Sequence, residues 1–345
     1  MRWLGLDLGG TNIKSVVVET GGETDGETVV VGCDTTETGA SDGPAAVIER
    51  LVVAGQAALD RWGSAEGCGV GVPGTFDSDA GTIELFPNLP GPWRGQQMVE
   101  PLRRALGLPV SIINDARAFT LAETRMGAAA GASTAACFVL GTGIGGGIVV
   151  DGRLHFGPHG RAGELAHQIV VRDGPPCGCG NRGCLEAVAS SRALAALAGQ
   201  PAIEDVFRAA AAGDQRAVQA IETVADHLGV AIANVITMLV PERVVIGGGV
   251  AGAGTDLLEP IRRAVARHSV LVPPEWYEIV PAKLGPYAGA IGAALWSFDS
   301  QPEVANRARS AASGDTQLAG DRPVKPDRSP GGGLRRSLRP PHPPP

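Results

Sequence analysis

Three cysteines and a histidine lie close together in the chain: His167, then Cys177, Cys179 and Cys184, with nine, one and four residues between them. Three soft thiolates and one imidazole are the donor set of a closed tetrahedral zinc site, a structural one because no position is left for water. The Gly and Pro residues of Gly174-Pro175-Pro176-Cys177-Gly178-Cys179-Gly180 let a short loop wrap an ion. Redox-active thiols are the alternative, and His167 as a nearby fourth donor favours the metal. Glu164 and Glu186 bracket this segment. Folding it around zinc would fix both carboxylates, an arrangement that suits the vicinal hydroxyls of a sugar.

A second group of residues suits phosphate chemistry. Asp7 interrupts the apolar run from Trp3 to Leu8, where a carboxylate is costly unless a cation or donors meet it. Gly9, Gly10 and Thr11 follow. Bare glycines at a reversal let backbone N–H groups approach a phosphate, and an Asp before the turn would hold Mg²⁺ against it. The alternative is an Asp that satisfies the turn's own amides. The segment Ala136 to Gly152 repeats the pattern of Trp3 to Val18, an apolar strand, a Gly-rich reversal through Gly141, Thr142 and Gly143, and a second strand. It contains the letters of a GxGxxG fingerprint but leads into a strand rather than a helix, so a nicotinamide site fails on context.

Gly247, Gly248 and Gly249 close the strand Val244 to Ile246 and precede a helix from Asp256 to Arg267. A dinucleotide site here meets its expected acidic residue only weakly, in Glu275 or Glu278. A flat glycine surface for an adenine ring instead joins this cluster to the other two turns. No GxxxxGK[ST] occurs, which excludes a P-loop. Asn114-Asp115 end the apolar strand from Val110 and open a helix to about Gly127. A carboxylate near the positive end of a helix is favoured in the ionised form that a general base needs; the plain alternative is an N-cap.

The elements that must position these residues follow an α/β pattern. Strands Val29 to Cys33, Gly69 to Val72 and Val110 to Asn114 alternate with Ala-rich helical stretches such as Ala45 to Arg61. With 345 residues, the chain is long enough for two units of roughly 150 residues, and the two Gly-rich hairpins begin about 130 residues apart. That spacing predicts a duplicated two-lobe protein with its ligand in the cleft between lobes. Cys33, Cys68 and Cys137 lie on apolar strands and read as core. The formal charge of −7 gives no electrostatic reason to bind nucleic acid or an anionic membrane. No apolar run reaches the roughly 18 residues of a spanning helix, and MRWLGLDLGG lacks signal architecture. The expected location is the cytoplasm. Residues 301–345 hold 9 of the 26 prolines and 8 basic against 4 acidic residues, and read as a disordered tail.

Taken together, DLGGTNIK, PNLPG, INDARA, GTGIGGG, AGELAH and CGCGNRGCLE resemble the motifs of the ROK family of sugar kinases and sugar-responsive repressors, over about residues 1–300. The resemblance implies an α/β, two-lobe actin/hexokinase-like ATPase fold of duplicated ribonuclease H-like domains around a central cleft. Residues 1–117 with about 287–300 would form the N-terminal lobe, and 118–286 the C-terminal lobe with a zinc-binding loop at 164–186. The implied activity is ATP-dependent phosphorylation of a hexose at its primary hydroxyl, with glucose the leading substrate. Fructose, mannose, allose and N-acetyl hexosamines are alternative sugars, and polyphosphate an alternative donor. A sugar-responsive transcriptional regulator is the alternative from another class; it would carry an N-terminal helix-turn-helix, whereas the phosphate strand begins at Trp3.

By position, Asp7 resembles the Mg²⁺-phosphate aspartate, with Gly9, Gly10, Thr11 and Lys14 in the first phosphate motif. Gly141, Thr142 and Gly143 match the second turn, and Gly247, Gly248 and Gly249 the adenosine side. Asn88, Asn114, Asp115, Glu164, His167 and Glu186 match the sugar-binding set, with Asp115 the catalytic base. His167, Cys177, Cys179 and Cys184 match the zinc ligands, so His167 would serve sugar and metal through different ring nitrogens. The implied partners are a hexose and a second copy of the chain, as a homodimer or larger, without nucleic acid or membrane. Two departures touch the sugar side: Ala166 stands where the family pattern has Gly in Glu-x-Gly-His, and Pro92 intrudes into PNLPGW.

Overall fold

Two runs of apolar and β-branched residues, Arg2–Leu8 (β1) and Asn12–Glu19 (β2), pair as an antiparallel hairpin in the computed structural model, which describes residues 1–21, 28–87, 89–249 and 255–301. Strand β3 (Val29–Glu37) extends the hairpin on its outer side. On the other side β1 pairs in parallel with β4 (Cys68–Val72), and β4 with β7 (Val110–Asn114), giving the order β3-β2-β1-β4-β7. Helix α1 (Pro44–Trp62), the small hairpin β5 (Thr75–Asp77) and β6 (Thr82–Leu85), and α2 (Val99–Leu106) fill the connections. After α3 (Asp115–Arg125) the chain repeats this plan. The antiparallel strands β8 (Ala135–Leu140), β9 (Ile144–Val150) and β10 (Arg153–Leu154) are followed by β11 (Arg243–Gly247) and β12 (Glu278–Pro281), which join β8 in parallel, in the order β10-β9-β8-β11-β12. The two sheets therefore have one topology, and the two Gly-rich hairpins are its equivalent first turns.

Helices α4 (Leu185–Ala189), α5 (Ser191–Ala198), α6 (Ile203–Ala211), α7 (Gln215–Leu239) and α8 (Thr255–His268) lie between β10 and β12 in sequence. Their apolar faces, with Phe138, Leu140, Val244 and Ile246, form the core of the second sheet. Among the described residues α7 alone is long and apolar enough to cross a membrane, yet 56% of that stretch is buried inside the protein, the place of a core helix. The last helix, α9 (Ala288–Asp299), returns to pack on β1, β4 and α3. It lies so close that a Cβ on Gly5, Gly69 or Gly292 would sit 1.9, 1.7 and 1.7 Å from the carbonyl oxygens of Ala290, Ala293 and Ala118. Backbone meets backbone there, which only glycine permits.

One core assignment is corrected. Cys68 and Cys137 are buried, but Cys33 is exposed, because β3 is the edge strand and most of its side chains face solvent. The tail 301–345 lies outside the described residues except for Gln301.

Candidate active site and metal centre

Parallel β1, β4 and β7 end at one edge of the first sheet, and parallel β8, β11 and β12 at one edge of the second. In open α/β sheets, ligands bind at these carboxyl ends. The glycine turns and Asn114-Asp115 all lie there.

Asp7 sits near the end of β1, opposite Lys14 on β2 and beside Gly71 on β4. A Cβ on Gly289 of α9 would come 2.5 Å from an Asp7 carboxylate oxygen, so the bare glycine makes room for the carboxylate. Burial pushes its pKa up to about 6 against the opposing pull of Lys14. The turn after it is a tight hairpin, closed by the Gly9 amide donating to the Asn12 carbonyl at 3.0 Å. Thr38, wholly buried, braces this turn: its hydroxyl donates to the Gly9 carbonyl at 2.7 Å and its amide to the Thr11 carbonyl at 2.8 Å. The second turn closes through the Gly141 amide and the Gly143 carbonyl at 2.9 Å. Gly248, with φ of +91°, is packed so that a Cβ would lie 2.2 Å from the Leu140 carbonyl oxygen. The third glycine cluster thus abuts the strand that enters the second turn, while Gly249 borders open space.

Asn114, rather than Asp115, caps α3, accepting from the amides of Ala116 and Arg117 at 3.1 and 3.2 Å. One Asp115 oxygen accepts from the Ala116 amide at 2.8 Å. The expectation that the helix end would favour its ionised form is reversed. Burial above all, with the charges of Asp7 and Glu164, raises its pKa to about 7, and the Ala116 amide only partly offsets them. The same electrostatics tie Asp7, Asp115 and Glu164 to one neighbourhood.

A cavity of about 240 Å³ opens beside Asp115, smaller than the roughly 300–1,000 Å³ that holds drug-sized ligands. Asn114, Glu164, Arg117, Phe156 and Trp296 are among the residues on its walls. Of the six residues assigned to a sugar, this cavity is lined by Asn114 and Glu164. Asp115 adjoins it along the chain, His167 and Glu186 stand elsewhere, and Asn88 lies outside the described residues. Neither departure from the family pattern lines it: Ala166 is 2% exposed within the second core, and Pro92 is on the surface. Neither composition nor spacing singles out Arg117, Phe156 or Trp296 as site residues; the one sequence signal for any of them is that Arg117 lies two residues past Asp115.

His167, Cys177, Cys179 and Cys184 come together with one ligand atom each, all within 4.8 Å of one another. The Cys179 and Cys184 sulfurs are 3.6 Å apart, and Cys177 Sγ is 3.7 Å from His167 Nδ1. A tetrahedron with Zn–S bonds of about 2.3 Å has S···S edges of about 3.8 Å, so the donor set fits zinc. Burial pushes the Cys184 thiol up to about 12 and also raises Cys177, while the Asn181 amide lowers Cys179. A divalent cation would let all three stand as thiolates. Glu186 links this centre to the second glycine turn: Oε2 accepts from the Ile144 amide at 3.0 Å, and Oε1 is 3.9 Å from Cys177 Sγ.

The family model described as the ROK family matches residues 3–300. A glucokinase of Halalkalibacterium halodurans is 36% identical over 316 residues, 84% of this chain and 93% of its own length. Among solved structures, a ROK hexokinase from Thermus thermophilus superposes with a TM-score of 0.73 at 35% identity, covering 88% of this chain and all of its own. A ROK family glucokinase from Streptomyces griseus, in complex with glucose and AMPPNP, gives a TM-score of 0.73 at 30% identity, covering 87% of this chain and 100% of its own.

Proposed function

The chain belongs to the ROK family, and from that premise we propose that it is an ATP-dependent hexose kinase that phosphorylates the primary hydroxyl of glucose. The observation that carries this reading is Asp115, released from helix capping by Asn114 and sharing its electrostatic neighbourhood with Asp7 and Glu164 beside a cavity of small-ligand size. The hexose lies in the cavity, with Asn114 and Glu164 bonded to its hydroxyls and its primary hydroxyl at Asp115. Asp115 accepts the hydroxyl proton as the oxygen attacks the γ-phosphate in line. The amides of the two glycine turns stabilise the charge that develops on the phosphoryl oxygens. Gly247, Gly248 and Gly249 give the adenosine its surface, and Lys14 counters the charge at Asp7. Mg²⁺, when bound with the nucleotide, neutralises phosphate charge, and Asp7 is the residue that would hold it. His167, Cys177, Cys179 and Cys184 would hold zinc in a structural part, bracing the loop that leads into α4, which bears Glu186.

The test is an ADP-release assay coupled to a reporter enzyme, with ATP and Mg²⁺, over glucose, mannose, fructose, allose and N-acetyl hexosamines. Glucose is expected to give the highest kcat/KM; turnover with none of the sugars would overturn the kinase reading.

The buried carboxylates also set a pH dependence. A base must be ionised, so kcat/KM is expected to fall as pH drops through about 7 and below, by about tenfold per pH unit. The coupled Asp7, at about 6, steepens the lower part of that limb. A profile flat from pH 8 to pH 5 would remove Asp115 from the proton transfer.

A further inference from the structure

Arg117 leaves α3 and crosses to the segment that carries Glu164. Its Nη2 donates to the Ala162 carbonyl at 3.0 Å and to Glu164 Oε1 at 2.9 Å. Its guanidinium carbon stands 5.7 Å from the centre of the Phe156 ring, within cation–π range. The Arg117 side chain is 11% exposed, whereas Glu164 is 53% exposed and borders the cavity. An ion pair with one partner this open adds little to stability. It does fix where the carboxylate stands. Among the described residues no protein donor reaches Glu164 Oε2, so the pair leaves one oriented acceptor for the cavity.

We propose that Arg117 is a positioning residue for the sugar, holding Glu164 so that its free oxygen reads a ring hydroxyl and separates glucose from its epimers. The inference rests on the reading of Glu164 as a sugar ligand. An acceptor tethered at one oxygen, on a side chain that otherwise samples several rotamers, loses less freedom when a hydroxyl docks. A wandering carboxylate would accept from more than one hydroxyl arrangement.

The experiment measures KM and kcat for glucose, mannose, allose and galactose, and KM for ATP, in Arg117→Met, Arg117→Lys, Glu164→Gln and the double variant Arg117→Met/Glu164→Gln. Arg117→Met is expected to raise the glucose KM by about tenfold to a hundredfold, the worth of a charge-assisted hydrogen bond. It is also expected to narrow the preference for glucose over its epimers, with the ATP KM unchanged. Arg117→Lys, which keeps the charge and one contact, recovers part of both effects. The double variant behaves like Glu164→Gln alone, because Arg117 acts through that carboxylate. Additive effects, or a glucose KM unmoved in Arg117→Met, would overturn the proposal while leaving the sugar site standing. If Glu164→Gln itself leaves KM and epimer preference untouched, the assignment of Glu164 fails and this inference with it. Thermal melting checks each variant, and if Arg117→Met does not fold, unchanged KM and epimer preference in Arg117→Lys would overturn the proposal.

Discussion

Asp115→Asn is expected to lower kcat by about 10²- to 10⁴-fold, the usual contribution of one general base. Sugar affinity should be nearly unchanged, because the amide is isosteric and still bonds a hydroxyl. The helix should also survive, since Asn114 does the capping. Steady-state kinetics and calorimetric titration with glucose separate the two effects, and wild-type turnover would take Asp115 out of the reaction. Stability should move the other way. The pKa of Asp115 is raised from 3.8 to about 7 in the folded chain, so ionising it costs the native state more than the unfolded one, and that cost is in full force above about 7. The Asn variant is therefore expected to melt at a higher temperature than the wild type at pH 8 and at a similar one at pH 4.

Loss of one zinc ligand is the second large expected effect. Cys184 is fully buried and immediately precedes α4, which carries Glu186. Much of the loop between Cys177 and Cys184 is exposed and has few apolar side chains to bury. Structural zinc in comparable small sites contributes about 10–16 kcal/mol of apparent binding free energy at neutral pH. Cys184→Ala is expected to retain less than one zinc per chain by elemental analysis, to lower Tm and to raise the glucose KM, as the supports of His167 and Glu186 loosen. The wild type should carry one zinc per chain; a folded, active and zinc-free preparation would show that the thiols serve another purpose.

Much of the architecture could be read from the residues, because strand period and glycine reversals are local signals. Val29 to Cys33 falls within β3 and Val110 to Asn114 matches β7, while Ala45 to Arg61 lies inside α1. The repeat of Trp3 to Val18 in Ala136 to Gly152 corresponds to β1–β2 and β8–β9, equivalent hairpins of two sheets with one topology. The four candidate zinc ligands could be named because they are close in sequence and chemically distinctive. What escaped depends on partners far along the chain. The Arg117–Glu164 pair spans 47 positions, and neither residue type announces it. Asp115 read as a favoured anion because the helix start is visible in the sequence, whereas burial and the charges of Asp7 and Glu164 belong to the assembled cleft. Cys33 looked like core because its neighbours are β-branched; only the strand order reveals that β3 has an open edge.

The return of α9 to β1, β4 and α3 has a consequence for biosynthesis. A chain that emerges from the ribosome in order meets its first sheet within the opening 114 residues, but the helix that seals the sheet's other face follows only after the second sheet has been translated. Until then the apolar backs of β1 and β4 stay uncovered, and the nascent first half is a natural client for chaperones. Fragments truncated before Ala288 should be retained by such holdases, however complete their cleft residues.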